Sequence, residues 1–224
     1  MIPSPSSEAN EQPPAPAGFT LPIDIVVAPG RAFVKIAQTR EWIPALVVIA
    51  LCGAATIALD TPPFTHITSL SKAGDIPTSS DIMYQLAFLL LIVPLLVSML
   101  VATMVTALAR WKEPAAPYGR FFSLAINCMV PSALGNLIHG AVAVLRHPTY
   151  ASFRAFDTAL PDSLGVFAAP GNDREFGFLA HFGIFDAWSF ILIGYGISLF
   201  ARIRFSTALF IAAALYFIYV FAYN

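Results

Sequence analysis

IMYQLAFLLLIVPLLVSMLVATMVTALA, residues 82–109, holds no Asp, Glu, Lys or Arg, and it decides the fold. A hydrocarbon core about 30 Å thick is crossed by about 20 residues of α-helix, each rising about 1.5 Å. A single apolar segment in lipid satisfies its own backbone polar groups only as a helix. Further apolar stretches of spanning length lie at 42–60, 119–145, 178–200 and 205–222. The chain is therefore read as an all-α polytopic membrane protein with five transmembrane helices plus short interfacial helices.

Composition supports this. The chain is 58% hydrophobic and only 11% charged, with a mean hydropathy of +0.74. Soluble domains carry about 25% charged residues. A net charge of -1 gives no basic face for nucleic acid, so none is expected as a partner. The partner expected is the lipid bilayer. Cys52 and Cys128 both fall in apolar spans, where thiols behave as small hydrophobes.

The sequence before residue 29 is divided from the rest by Pro29-Gly30. Residues 1–20 hold Pro, Ser and Ala with Glu8 and Glu11, and no basic residue or apolar core, so they do not read as a secretory signal. Such a tract cannot bury enough surface to offset its chain entropy, and 1–28 is read as a disordered Pro-rich cytoplasmic tail. Residues 29–222 form the membrane domain. Near its start Phe33, Ile36 and Ala37 share a helical face apart from Arg31 and Lys35, the pattern of a helix lying on the bilayer. Trp42 stands at the interface where the first span begins.

Orientation follows from the basic residues. With the N-terminus cytoplasmic, Arg31, Lys35, Arg40, Arg110, Lys112, Arg120, Arg202 and Arg204 lie inside, and Lys72, Arg146, Arg154 and Arg174 outside. Five spans then put the C-terminus outside. The outer loops are 61–81 and 147–177. In the second, Tyr150, Phe153, Phe156 and Leu160 recur at helical spacing and suggest another helix flat on the outer surface. No internal repeat and no matched pair of Gly/Pro-broken spans stands out, the features that would point to a secondary transporter.

Polar residues inside the spans are the candidate site. Asp186 reads as the only acid deep in a span, about 12 Å along a helix counted from Phe178. A charged Asp near mid-membrane costs about 2.5–3.5 kcal/mol on insertion scales, so it should face the bundle and find a partner. It serves either function or packing as a structural hydrogen-bond acceptor, and the residues leave both open. In the third span Pro131 removes a backbone donor and should kink the helix. Ser132, Asn136 and Gly140 share a face, and such residues usually join helices. His139 and His181 could hold zinc with Asp186, but H-E-x-x-H is absent and interhelical hydrogen bonding is the plainer role. No G-x-S-x-G, Walker loop or G-x-G-x-x-G occurs. No enzyme activity, cofactor or metal is expected.

Pro29-Gly30-Arg31-Ala32-Phe33 before the first span resembles the P-x-x-A-F of YIP-domain (Ypt-interacting-protein) proteins. Ala125–Pro131 is similar to that family's small-apolar run ending in proline. Gly183-Ile184-Phe185-Asp186-Ala187-Trp188-Ser189-Phe190-Ile191-Leu192-Ile193-Gly194 resembles its fourth span, and Ser206-Thr207-Ala208 the opening of its fifth. The resemblance covers about 29–222. It implies five spans, a cytoplasmic N-terminus and no established enzymatic activity, with eukaryotic members acting in membrane traffic and associating with Rab GTPases. The long acidic N-terminal domain of those members is a short tail here, which puts Rab-type GTPase binding in doubt. The size resembles a prokaryotic-type member, which would sit in the plasma (inner) membrane.

The function expected is a non-enzymatic scaffold or adaptor, assembling with itself or another membrane protein. Ala187, Trp188, Ser189, Gly194 and Ser198 on span four and Ser132, Asn136 and Gly140 on span three are the candidate packing residues. The alternative is a small-solute or ion transporter or channel lined by Asp186, Asn136 and His139. A closed core would favour the first, and a cavity reaching Asp186 the second.

Overall fold

The computed structural model describes residues 20–70, 84, 88–110, 115–146 and 150–223. Among them regular structure is helical, with no strand beyond an isolated antiparallel bridge between Ser163 and Gly183. Three stretches are long and apolar enough to cross a membrane: Ile43–Pro63, Val93–Arg110 and Tyr118–Arg146. The apolar helices Ile184–Phe200 and Phe205–Phe221 are shorter.

The chain opens with α1 (Thr20–Val27) and α2 (Pro29–Thr39). The tail boundary at 28 is thereby corrected: Thr20–Val27 is helical, with Leu21 and Ile25 fully buried in the core. Residues 1–19 lie outside the described residues. Pro29 at the start of α2 presets the helical φ, and Arg40 closes it in the left-handed region at φ 55°. The face of Ala32, Phe33 and Ile36 is buried in protein rather than laid on lipid, because Phe33 meets Tyr195 at 5.3 Å and Phe200 at 6.4 Å between ring centres. Lys35 pairs with Asp24 and ties α2 to α1.

Helix α3 (Ile43–Leu70) runs past residue 60, where a loop was expected, and through Pro62 and Pro63. The extension is held by packing. Ile67 joins Ala143, Tyr150, Phe156 and Ala159 in a small second core, and Thr61 Oγ1 donates to Ile57 O at 2.6 Å just before the prolines. Helix α4 (Val93–Arg110) follows a π-helical turn, Phe88–Ile92. Apart from Tyr84, the preceding part of the expected span 82–109 lies outside the described residues.

The third apolar stretch is two helices, α5 (Tyr118–Cys128) and α6 (Val130–Arg146), parted at Met129. Pro131 has no N–H to offer Asn127 O, and Met129 N–H turns to Ile126 O at 3.2 Å. A short helix α7 (Phe153–Asp157) follows. The flat surface helix expected around Tyr150–Leu160 is corrected to these five residues. Tyr150 and Phe156 point inward, and the Tyr150 hydroxyl donates to Ala143 O at 2.7 Å. Burial also pushes the Tyr150 phenol above its ordinary value, against a smaller opposing pull from Arg146.

The expected span 178–200 is likewise divided. Helix α8 (Asp173–Ala180), capped by Asn172, stops before α9 (Ile184–Phe200) begins. Between them Gly183 is extended, and the pairs Leu164 N–H to Phe182 O (3.1 Å) and Ile184 N–H to Asp162 O (2.8 Å) take the backbone out of the helix. Helix α10 (Phe205–Tyr223) packs back on α9. The turn uses Arg202 at φ 50° and a bond from Ser198 Oγ to Ile203 O at 2.9 Å. The main core lies where α1, α2, α3, α5, α9 and α10 meet, around Phe33, Ile49, Phe121, Leu124, Ile193 and Ile197.

Candidate functional site

Asp186 stands in the first turn of α9, three residues after Gly183. The 12 Å depth counted from Phe178 is therefore corrected, since no continuous helix joins the two. An acid in a first turn is favoured by the positive end of the helix dipole. Its Oδ1 accepts from Ser132 Oγ at 2.6 Å. Ser132 Oγ lies 2.9 Å from Ser189 Oγ, and Ser132 N–H donates to Ser189 Oγ at 3.2 Å. That N–H is available because the break at Met129 ends the regular ladder of α5. Two interrupted helices thus exchange hydrogen bonds at their breaks. The break before α9 was not expected from the sequence, because it depends on the bridge to Ser163, which leaves no local signal.

A polar chamber of about 320 Å³ opens beside this junction. Asp60, Asn136, His139, Asp157, Asp162, His181 and Asp186 line it, with Thr56, Leu90 and Phe156 among the other walls. A second acid, Asp60, joins Asp186 from near the end of the apolar stretch Ile43–Pro63. It lies on α3, is 7% exposed, and rests its Oδ1 against Gly140. That oxygen has no hydrogen-bond partner among the described residues. Ending the first span at residue 60 hid it. His139 Nδ1 lies 3.8 Å from Asp162 Oδ2, while its Nε2 has no partner among the described residues. The carboxyl of Asp157 on α7 is pushed up to about 6 by burial above all; His139 and His181 oppose this and Asp162 adds to it.

His139, His181 and Asp186 all line the chamber, yet among the described residues no three acids, histidines or cysteines converge closely enough to hold one metal ion. Asn136 is exposed and borders the same space. Most of the other sequence candidates are engaged inside the chain. A Cβ on Gly194 would meet Leu209 Cα on α10 at 3.2 Å. A Cβ on Gly140 would meet Asp60 Oδ1 at 2.6 Å. Pro131 is buried at the break, Ser198 holds the α9–α10 turn, and Trp188 is exposed.

Residues 23–223 match the family model of the Yip1 domain. The chain belongs to the Yip1-domain family. The match covers nearly the whole chain, including both helix breaks and every wall of the chamber, so the site lies within the Yip1 domain. No curated protein and no solved structure matches.

Proposed function

We propose that this Yip1-domain protein crosses the membrane five times, N-terminus cytoplasmic and C-terminus outside, and takes up a small solute without covalent chemistry. The solute enters the chamber bounded by Asp60, Asn136, His139 and Asp186. The observation that carries this is the chamber itself, a space of about 320 Å³ that reaches Asp186. The paired helix breaks support it, because irregular backbone at membrane depth is tolerated where it lines a cavity, and discontinuous helices build transporter sites. A path onward to the cytoplasm would have to open the Ser132–Asp186–Ser189 contact. In intact membranes Asn136→Cys should react with an impermeant thiol reagent from the outer side only, Cys52 and Cys128 being buried. A thiol unreactive from both sides would refute the reading.

The second reading is a scaffold or adaptor that assembles with itself or another membrane protein. Gly194, Ser198, Ser132 and Gly140 are already engaged within the chain. The partner would instead use the apolar groove of about 220 Å³ lined by Leu96, Leu100, Phe190, Leu215 and Ile218. Leu100→Trp should then change oligomer size in detergent without disturbing the chamber.

A further inference from the structure

Between α7 and α8, in a stretch read from sequence as an outer loop, the 3₁₀ turn Leu164–Phe167 shows its apolar side chains to the outside. Leu164 is 45% exposed, Val166 37% and Phe167 78%, and no charged residue occurs from Ser163 to Asn172. The other side of the turn sits on α8, where a Cβ on buried Gly165 would meet Ala180 Cα at 3.2 Å. Its backbone is paired within the chain. Leu164 N–H donates to Phe182 O at 3.1 Å, Gly165 N–H to Ser163 Oγ at 3.3 Å and Ala168 N–H to Gly165 O at 3.1 Å. The Arg154 guanidinium donates to Ala168 O and Ala169 O. Irregular backbone enters a bilayer only where protein satisfies its polar groups, and these groups meet that condition.

The surroundings say what covers the turn. An apolar groove of about 580 Å³ runs from it to the start of α9, lined by Leu164, Phe182, Ile184, Ala187 and Tyr216. Among the described residues its only charged wall is Asp162, whose carboxylate lies 3.8 Å from His139 Nδ1. The groove continues into the outer face of α9, where Ile184, Trp188, Ile191, Tyr195 and Leu199 are all exposed at helical spacing. In a five-span protein that stripe faces lipid, and the turn extends it beyond the helix end. An apolar patch of this continuity marks an interaction surface.

We infer that the turn Leu164–Phe167 is inserted in the outer leaflet, with Leu164, Val166 and Phe167 among lipid acyl chains that also fill the groove. This rests on the five-span reading, which places α9 in lipid. The bridge from Ser163 to Gly183 joins the anchored turn to one wall of the chamber.

The test uses the full chain in lipid nanodiscs, labelled with a nitroxide at Phe167→Cys, Val166→Cys or Ile184→Cys. Ile191→Cys serves as the lipid reference and Asp173→Cys, exposed at the start of α8, as the water reference. Cys52 and Cys128 are buried. Collisions with oxygen, which concentrates in lipid, are compared with collisions with a water-soluble nickel chelate. The turn and groove labels should match Ile191, with an oxygen-to-nickel ratio several-fold above that at Asp173. A ratio like that of Asp173 at Phe167 or Ile184 would overturn the inference. Low access to both reagents would overturn it too, since a protein partner would then cover the turn. A lipid-like Ile191 beside a water-like Phe167 sinks this inference alone, whereas a water-like Ile191 sinks the placement of α9 beneath it.

Discussion

Replacing Asp186 separates what its carboxylate does for the fold from what it does for a solute. In Asp186→Leu, Ser132 Oγ loses its 2.6 Å acceptor but keeps Ser189 Oγ at 2.9 Å, so the hydroxyl is not left bare. The loss of this hydrogen bond then costs up to about 1.5 kcal/mol. Removing an acid from the first turn of α9 adds about 0.3–1 kcal/mol. Asp186→Leu should therefore lose about 2 kcal/mol. Asp186→Asn retains an acceptor oxygen and the shape, and should lose about half of that. Reversible unfolding of the purified protein in bicelles measures both. A cycle with Ser132→Ala tests the route, since Ser132 and Asp186 in direct contact should couple by at least about 0.5 kcal/mol. Asp186→Leu with wild-type stability, or zero coupling to Ser132, would refute the argument. Liposome flux separates the roles: flux shown by the wild type and lost in an equally stable Asp186→Asn would tie the carboxylate to solute movement.

Other perturbations test neighbouring parts. Gly194→Leu sets a Cβ 3.2 Å from Leu209 Cα, which must give by a few tenths of an ångström, and the longer side chain pushes α9 and α10 further apart; stability should fall by about 1–3 kcal/mol with oligomer size unchanged, and an unchanged unfolding curve would contradict the packing. The folded Asp157 carboxyl titrates near 6, above about 3.9 in the unfolded chain, so its contribution is full below pH 4 and is lost as pH rises through 6. Stability of the wild type relative to Asp157→Asn should accordingly drop by up to about 2 kcal/mol between pH 4 and 7, and a flat difference would show that the group is not buried as described. Reporters fused after Ala115 and after Asn224 should give opposite signals, since matching ones are incompatible with five spans and a C-terminus outside.

Much of the architecture is legible because burial in lipid leaves a local signature. Runs such as 93–110 carry their reading in every residue, and Pro131 marks its break because a missing N–H is a property of one residue. What escaped depends on contacts distant in sequence. Leu21 and Ile25 look like fragments of a tail until α2 and the bundle cover them. Pro62 and Pro63 look like a loop, but Ile67 finds a second core made by residues 143–159, and the helix continues. Nothing around Gly183 announces that Asp162 and Ser163 will bond beside it and end α8 early.

The same distance explains why one wall of the site was found and the rest was not. Asp186, Asn136 and His139 were recognisable because a polar residue among apolar ones is conspicuous within a single span. Asp60 was hidden by a misplaced span end, and Asp157 and Asp162 by lying in a loop where acids are ordinary. Only the fold makes them one group. The breaks that bring Asp162 beside His139 also free Ser132 N–H for Ser189 and set Asp186 in a first turn. The interruptions and the chamber are therefore one construction: continuous helices would pair Ser132 N–H within their own ladder and carry residues 181–183 past the space that the acids now surround. A variant that restores continuity tests this directly. Pro131→Ala returns the missing donor to α6, so it should straighten the helix, weaken the Ser132–Ser189 bond and shrink the chamber. Its readout is reduced labelling of Asn136→Cys in the double variant, at unchanged or higher thermal stability. Labelling as fast as in Asn136→Cys alone would show that the chamber does not depend on the break.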